Sequence, residues 1–120
     1  MQVLNLEGTE DTPKILLDKA NGIFEISGRS LPEDSADFYR PVLDWIKQYG
    51  STPNATTDFM FKLEYFNTAS SKLILDVLSA LEDIAGMKIS WYFHEDDEDM
   101  EEAGQEFSEL VEVPFEFKTY

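Results

Sequence analysis

Apolar and polar positions change their period several times along this chain, and each change marks an element. Lys14-Ile15-Leu16-Leu17-Asp18 and Ile23-Phe24-Glu25-Ile26-Ser27-Gly28 are short, apolar-rich runs that predict two strands. The connection between them, Lys19-Ala20-Asn21-Gly22, ends on Asn-Gly, a hairpin signal. Val3 to Leu6 predicts a short leading strand or an arm, and Arg29 to Leu31 a loop. Pro32-Glu33-Asp34-Ser35 opens a helix, with acids in its first turn and a proline near its start. Phe38, Val42, Trp45, Ile46 and Tyr49 make one apolar face at helical spacing, and Gly50 ends it. Pro41 falls inside, which predicts a kink there or a helix that starts later than Ser35.

The second half repeats the alternation. Thr57 to Phe66 is aromatic-rich and reads as a strand; Ser70 to Ala85 reads as a helix through Leu73, Val77, Leu81 and Ile84, closed by Gly86. Met87 to His94 has continuous bulk and predicts a central strand. The acids Glu95 to Glu102 lead into a third helix through Phe107 and Leu110, and Pro114 to Lys118 alternates as a last edge strand. Strands that alternate with helices indicate an α/β fold. The expectation is one domain over residues 1–120, with about three helices and a mixed, mostly parallel sheet of about four to five strands, preceded by the β-hairpin. Parallel strands joined by right-handed crossovers end on the same edge of their sheet. Asn67-Thr68, His94 and the start of the acidic helix should therefore share one edge, the edge where α/β sheets bind ligands.

The richest junction is Asn67-Thr68-Ala69-Ser70-Ser71-Lys72, where three hydroxyls sit at a handover from strand to helix. The first amides of a helix lack internal partners, and the dipole there is positive. A hydroxyl such as that of Thr68 caps the helix at such a place, or carries a phosphate that those amides hold. Lys72 lies one helical turn beyond Thr68, either as an ordinary solvated lysine or as a partner for that phosphate.

Charge narrows the function classes. The chain holds 25 acids against nine bases, a formal charge of −16, and the bases are scattered. Such a surface is repelled by nucleic acid and by anionic membranes. With 42% hydrophobic residues the chain is globular rather than disordered. The absence of cysteine excludes thiol catalysis and thiolate zinc sites and suits a reducing cytoplasm. Residues 1–7 do not resemble a signal peptide, and no apolar run approaches the roughly 20 residues that span a bilayer.

Catalytic and metal readings are thin. Thr68 as a nucleophile would need His94, the only histidine, and no Asp is placed to orient that ring. Glu95 to Asp99 lacks the central glycine and the ligand spacing of a calcium loop, and reads as acids facing water at a helix start. No phosphate loop or metal triad appears, so neither cofactor nor metal is expected.

Strand, then Asn67-Thr68-x-Ser70-Ser71-Lys72, then an apolar helix resembles the SiaC family of bacterial regulatory phosphoproteins. Pro32-Glu33-Asp34-Ser35, Phe38 through Ile46, Leu63 to Thr68, Trp91-Tyr92-Phe93 and Asp97 to Gly104 resemble that family too, so the likeness runs over nearly the whole chain. Ala69 stands where much of the family has a serine. The family looks like the STAS domains of anti-sigma factor antagonists, small α/β domains switched by phosphorylation at a helix N-terminus. The resemblance implies a non-enzymatic signalling protein phosphorylated on Thr68, with Asn67, Ser70, Ser71 and Lys72 forming the neighbourhood of the phosphosite or meeting a partner. It implies a histidine-kinase-like Ser/Thr protein kinase, a PP2C-type phosphatase, and a diguanylate cyclase that the unphosphorylated form activates to raise cyclic-di-GMP and favour biofilm. The alternatives are a STAS-like antagonist in a sigma-factor partner switch and a small enzyme using His94 with neighbouring carboxylates.

Overall fold

Ile15 and Leu17 on one strand and Phe24 and Ile26 on the next are all buried, so the hairpin folds with one apolar face that must be covered. The computed structural model describes all 120 residues. Its elements are β1 (Leu4–Leu6), β2 (Lys14–Asp18), β3 (Ile23–Ser30), α1 (Ser35–Tyr49), β4 (Thr57–Phe66), α2 (Thr68–Glu82), β5 (Met87–Phe93), α3 (Glu98–Leu110) and β6 (Phe115–Thr119). The strands form a single six-stranded sheet in sequence order. β1, β2 and β3 pair antiparallel; β3 through β6 pair parallel.

The α/β class and the mostly parallel sheet are as the sequence predicts, but there are six strands rather than four to five. The hairpin does not precede the sheet; β2 and β3 are two of its six strands. β3 offers its second edge to β4, and Phe24 stacks on Phe59 with ring centroids 6.2 Å apart, so one apolar layer runs across the join. β3 also runs on through residues expected to be loop. Gly28, at φ 100°, lies where the register with β4 shifts, and the strand continues to Ser30. That shift re-aims β4. Leu63 faces inward opposite Gly28, and the next residue to return to the buried face is Phe66, opposite Ser30, while Tyr65 turns outward.

Strands in sequence order joined by right-handed crossovers place every helix on the same face. Burial agrees: Thr57, Phe59, Phe61 and Leu63 of β4 are buried, while Asp58 and Glu64 are exposed. β5 is therefore one-sided and not the uniformly bulky strand expected. Met87, Ile89, Trp91 and Phe93 face the helices. On the other side Lys88 reaches Glu116 at 3.3 Å, and Ser90 donates to Asp58 at 2.6 Å.

α1 starts at Ser35, capped by Asp34, which accepts from the Asp37 amide at 3.0 Å. It runs through Pro41 without a later start. Pro41 is exposed, so water can reach the Asp37 carbonyl whose helical partner is missing. Tyr39, Val42, Trp45, Ile46 and Tyr49 are buried, and α1 packs along α2. Phe107 of α3 packs at a tilt on Trp91, which stacks on Phe61, with centroids 5.6 and 5.5 Å apart. No helix is long and apolar enough to cross a membrane.

Candidate functional site

The parallel strands β3, β4, β5 and β6 end together, and α1, α2 and α3 all begin at that edge. The Asn67 amide donates to the Ser30 carbonyl at 3.1 Å, which ties the end of β4 to the end of β3. Asn67-Thr68, His94 and the acidic start of α3 thus share one edge, as the topology predicted.

At the head of α2 the sequence leaves two uses open for the Thr68 hydroxyl, and the structure removes one. The cap is Asn67. Its backbone is extended (φ −86°, ψ 174°), and its Oδ1 accepts from the Ser70 amide at 2.9 Å. Thr68 already belongs to the helix as its first residue, so the capping position is taken by its neighbour. It is exposed, and its hydroxyl takes part in no hydrogen bond within the molecule.

Ser70, expected beside a phosphate or a partner, is instead fully buried. Its Oγ donates to the Ser30 carbonyl at 3.0 Å and accepts from the Ser30 hydroxyl at 2.9 Å; that hydroxyl lies 2.6 Å from the Tyr39 phenol. With the Ser30 proton committed to Ser70, Tyr39 donates to Ser30, and the three hydroxyls form one chain. Burial pushes the Tyr39 phenol up to about 12. Ser70 thus fastens the start of α2 to β3 and α1 from behind, while Thr68 stays free in front.

Ser71 is half-buried and Lys72 exposed. Seven of the nine bases rest against a carboxylate, an aromatic ring or a backbone oxygen; Lys72 and Lys47 do not. Lys72 is also close to the positive end of the α2 dipole, where a cation is disfavoured.

Thr68, Ser71, Lys72 and Leu75 line one side of a groove of about 400 Å³. Ala103, Glu106, Phe107 and Leu110 of α3 line the other, and Phe66 contributes to the bottom. A second hollow of about 300 Å³ adjoins it across Phe66 and Ala103, and is bordered by Glu64, Tyr65, Asp97 and Asp99. The α3 side was not read from the sequence. Leu110 looks like a continuation of the core face through Phe107, yet it is 65% exposed. The signal was the spacing of Ala103, Glu106, Phe107 and Leu110, a second stripe at i, i+3, i+4 and i+7.

His94 is exposed. Its ring stacks on Tyr120 with centroids 4.2 Å apart, and its Nδ1 lies 3.2 Å from the Tyr120 main-chain oxygen. The ring's partner is Tyr120 and not a carboxylate. Partial burial, and then the nearby charges of Glu64 and Asp97, raise the Tyr120 phenol. Among the acids at the α3 start, Asp97 caps the helix by accepting from the Met100 amide at 3.0 Å. No three of these acids gather where a cation would be held.

Known proteins agree with this architecture. A family model described as SiaC family regulatory phosphoprotein matches residues 6–120. An uncharacterised protein of Pseudomonas aeruginosa strain UCBPP-PA14 is 30% identical over 124 residues, covering 100% of this chain and 98% of that protein. The crystal structure of apo-SiaC from Pseudomonas aeruginosa superposes with a TM-score of 0.89 at 29% identity, over 98% of this chain and 99% of that one. A crystal structure of the diguanylate cyclase SiaD in complex with its activator SiaC, from the same species, gives a TM-score of 0.90 at 28% identity, over 98% and 99%.

Proposed function

This chain belongs to the SiaC family of regulatory phosphoproteins, and on that premise we propose that it is a binding protein switched at Thr68. Unphosphorylated, it binds and activates a diguanylate cyclase in the cytoplasm, raising cyclic-di-GMP. Phosphorylation of Thr68 by a histidine-kinase-like Ser/Thr kinase releases the cyclase, and a PP2C-type phosphatase restores binding. The chain acts by docking and not by catalysis.

One observation carries this reading: Asn67 does the capping, so the Thr68 hydroxyl stands exposed and unengaged at the rim of an apolar groove. A kinase can reach it without unfolding the helix. The phosphate would add about −2 of charge at pH 7. It would meet the positive end of α2 and Lys72, one turn along on the same helix face. A modified group held there changes the charge and the bulk of the groove rim without disturbing the core, because Ser70 and Asn67 hold α2 independently. The solved complex of SiaD with its activator SiaC supports a cyclase as the partner class.

Mass spectrometry on protein from its native host, with and without a PP2C-type phosphatase, should find one phosphatase-sensitive phosphate, on Thr68. The Thr68→Ala protein should bind and activate the cyclase, and Thr68→Glu should lose at least tenfold in affinity, about 1.4 kcal/mol. Equal activation by both variants would end the switch reading. Capture of an anti-sigma kinase in place of a GGDEF-type cyclase would keep the switch and reassign its output.

A further inference from the structure

The sheet ends on β1 at one side and on β6 at the other, and these two edges differ. β1 is three residues long, and so short an edge offers little to pair with. β6 has five residues and no proline, and it keeps register with β5 from Phe115 opposite Ile89 to Thr119 opposite Phe93 without a bulge. Two hydrogen bonds identify its outward backbone groups. The Ile89 amide donates to the Pro114 carbonyl at 2.8 Å, and the Tyr120 amide donates to the Phe93 carbonyl at 3.2 Å. Alternate residues of a parallel strand serve the same neighbour, so Pro114, Glu116, Lys118 and Tyr120 face β5. Phe115, Phe117 and Thr119 turn their N–H and C=O groups outward, where no strand of this chain meets them.

This strand is complementary to a second copy of itself. In an antiparallel pair, residues whose groups face the partner stand opposite one another and exchange both bonds. Two copies of β6 meet that condition about a two-fold axis at Phe117. Phe117 then faces Phe117 of the second copy, and Phe115 faces Thr119 in both directions: three pairs that exchange two bonds each. Between them, Glu116 of each copy stands opposite Lys118 of the other, on the face of the sheet that carries no helix. An axis at Glu116 or at Lys118 would set like charges directly opposite, which is destabilising. A shift by one residue would set outward backbone groups against groups that β5 already uses. Hydrogen bonding and charge therefore select the same register.

We propose that β6 is a dimerisation edge, at which two copies of this chain pair β6 to β6, antiparallel and centred on Phe117, into one continuous sheet. The two-fold axis is perpendicular to that sheet, so the helices of both copies lie on the same face. Apolar surface on that face fits the arrangement. Phe117 is 40% exposed, although it is in phase with Phe115, 5.9 Å away, whose ring lies 6.3 Å from buried Trp91. α3 packs over β4, β5 and β6 and so centres near β5. The two copies of α3 would stand three strand spacings apart, roughly 14 Å. Helices in contact are about 8–10 Å apart, and Phe115 and Phe117 of both copies occupy the space left between them. The interface is isologous and closes on itself, leaving no free β6 edge. Thr68 follows β4, two strands in from this edge, so the dimer does not depend on the switch reading.

Sedimentation equilibrium of the full chain tests this between about 10 µM and 1 mM, the range that a small interface requires. About 0.3 M NaCl screens the repulsion between two copies of charge −16. The mass should rise from 13.8 kDa toward twice that value. Phe117→Pro removes an outward N–H and spares the bonds to β5, and should weaken association at least about tenfold. Glu116→Lys and Lys118→Glu each turn both cross-strand pairs into like-charged ones, and each should weaken association about tenfold. An equimolar mixture of these two variants restores both pairs, and should associate at least about tenfold more tightly than either alone. Cross-linking then reads the register, since the chain has no cysteine of its own. Phe117→Cys places two thiols on Cα atoms about 5.5 Å apart, within disulfide reach, and should cross-link on mild oxidation. Thr119→Cys places them about 14 Å apart along the strands, and should not.

Recovery of association in the mixture, together with the Phe117→Cys cross-link, would establish the paired edge. A chain that stays monomeric throughout the range overturns the proposal. So does a dimer that survives Phe117→Pro and both charge reversals, which would place the contact elsewhere. Equally fast cross-linking of Phe117→Cys and Thr119→Cys would overturn the register, and a mass that climbs past the dimer would overturn the closed two-fold arrangement.

Discussion

Asn67 and Thr68 divide two tasks that a single residue would have to share. The cap contributes helix stability, and Asn67→Ala should cost about 1 kcal/mol in urea unfolding, whereas Thr68→Ala should stay within about 0.5 kcal/mol. Equal losses would mean that the Thr68 side chain also holds the fold. Behind them, Tyr39 gives the molecule an alkaline limit. Burial raises its phenol from 10.0 to about 12, so the folded protein holds this proton more tightly than the unfolded chain does. That contribution is whole below pH 10 and is lost as pH climbs through 10 toward 12. The stability advantage of the native protein over Tyr39→Phe should therefore shrink across that window, read from denaturant midpoints at successive pH values. An advantage that stays constant from pH 9 upward would show that the buried phenol is not what titrates.

At the scale of elements, the position of α3 decides whether there is a groove at all. It depends on Gly104, where an added Cβ would lie 2.5 Å from the Trp91 indole. Glycine lets the helix approach closely enough for Trp91 Nε1 to donate to the Met100 carbonyl at 3.0 Å. Alanine is the better helix former by about 1 kcal/mol, but here it would press on a ring that is fully buried and cannot yield. Gly104→Ala should lose about 1–3 kcal/mol net, with a changed tryptophan emission spectrum. A stabilised variant would mean that α3 rides over Trp91 without strain. Nothing in the run Asp97 to Gly104 announces this; the need for glycine comes from a tryptophan on a strand packed beneath it.

The whole molecule carries its charge unevenly. Parallel sheets are usually covered on both faces, yet here all three helices lie on one. The bare face is held by its own pairs. Lys88 and Lys118 share Glu116 at 3.3 and 3.6 Å, and Lys62 sits 4.6 Å from the centre of the Tyr92 ring. With Lys14 beside Glu25, four of the nine bases stand there, so most of the −16 charge is left to the helices and loops. Self-repulsion on that side is long-ranged and screened by salt. The melting temperature should rise by a few degrees between about 0.02 and 0.5 M NaCl. A fall would mean that the short ion pairs of the bare face outweigh the repulsion.

What the sequence by itself determined is what local periodicity and turn chemistry encode. The α/β alternation, the hairpin at Asn21-Gly22, three helices, the first and third with acidic starts, and a hydroxyl-rich junction on the same edge as the acidic helix all follow from spacing and topology. Tertiary structure decided the rest, because each remaining question depended on a residue distant in sequence. The hairpin joined the larger sheet because β3 had a second edge to offer. The register shift at Gly28 turned Phe66 inward to the groove and Tyr65 outward, which strict alternation would have reversed. Three hydroxyls near one another in sequence acquired different roles because Ser30 and Tyr39 took Ser70 into the interior, while Thr68 met nothing. Leu110, apolar and in phase with the core, stayed exposed because α3 rests on the sheet and leaves α2 unaccompanied on that side.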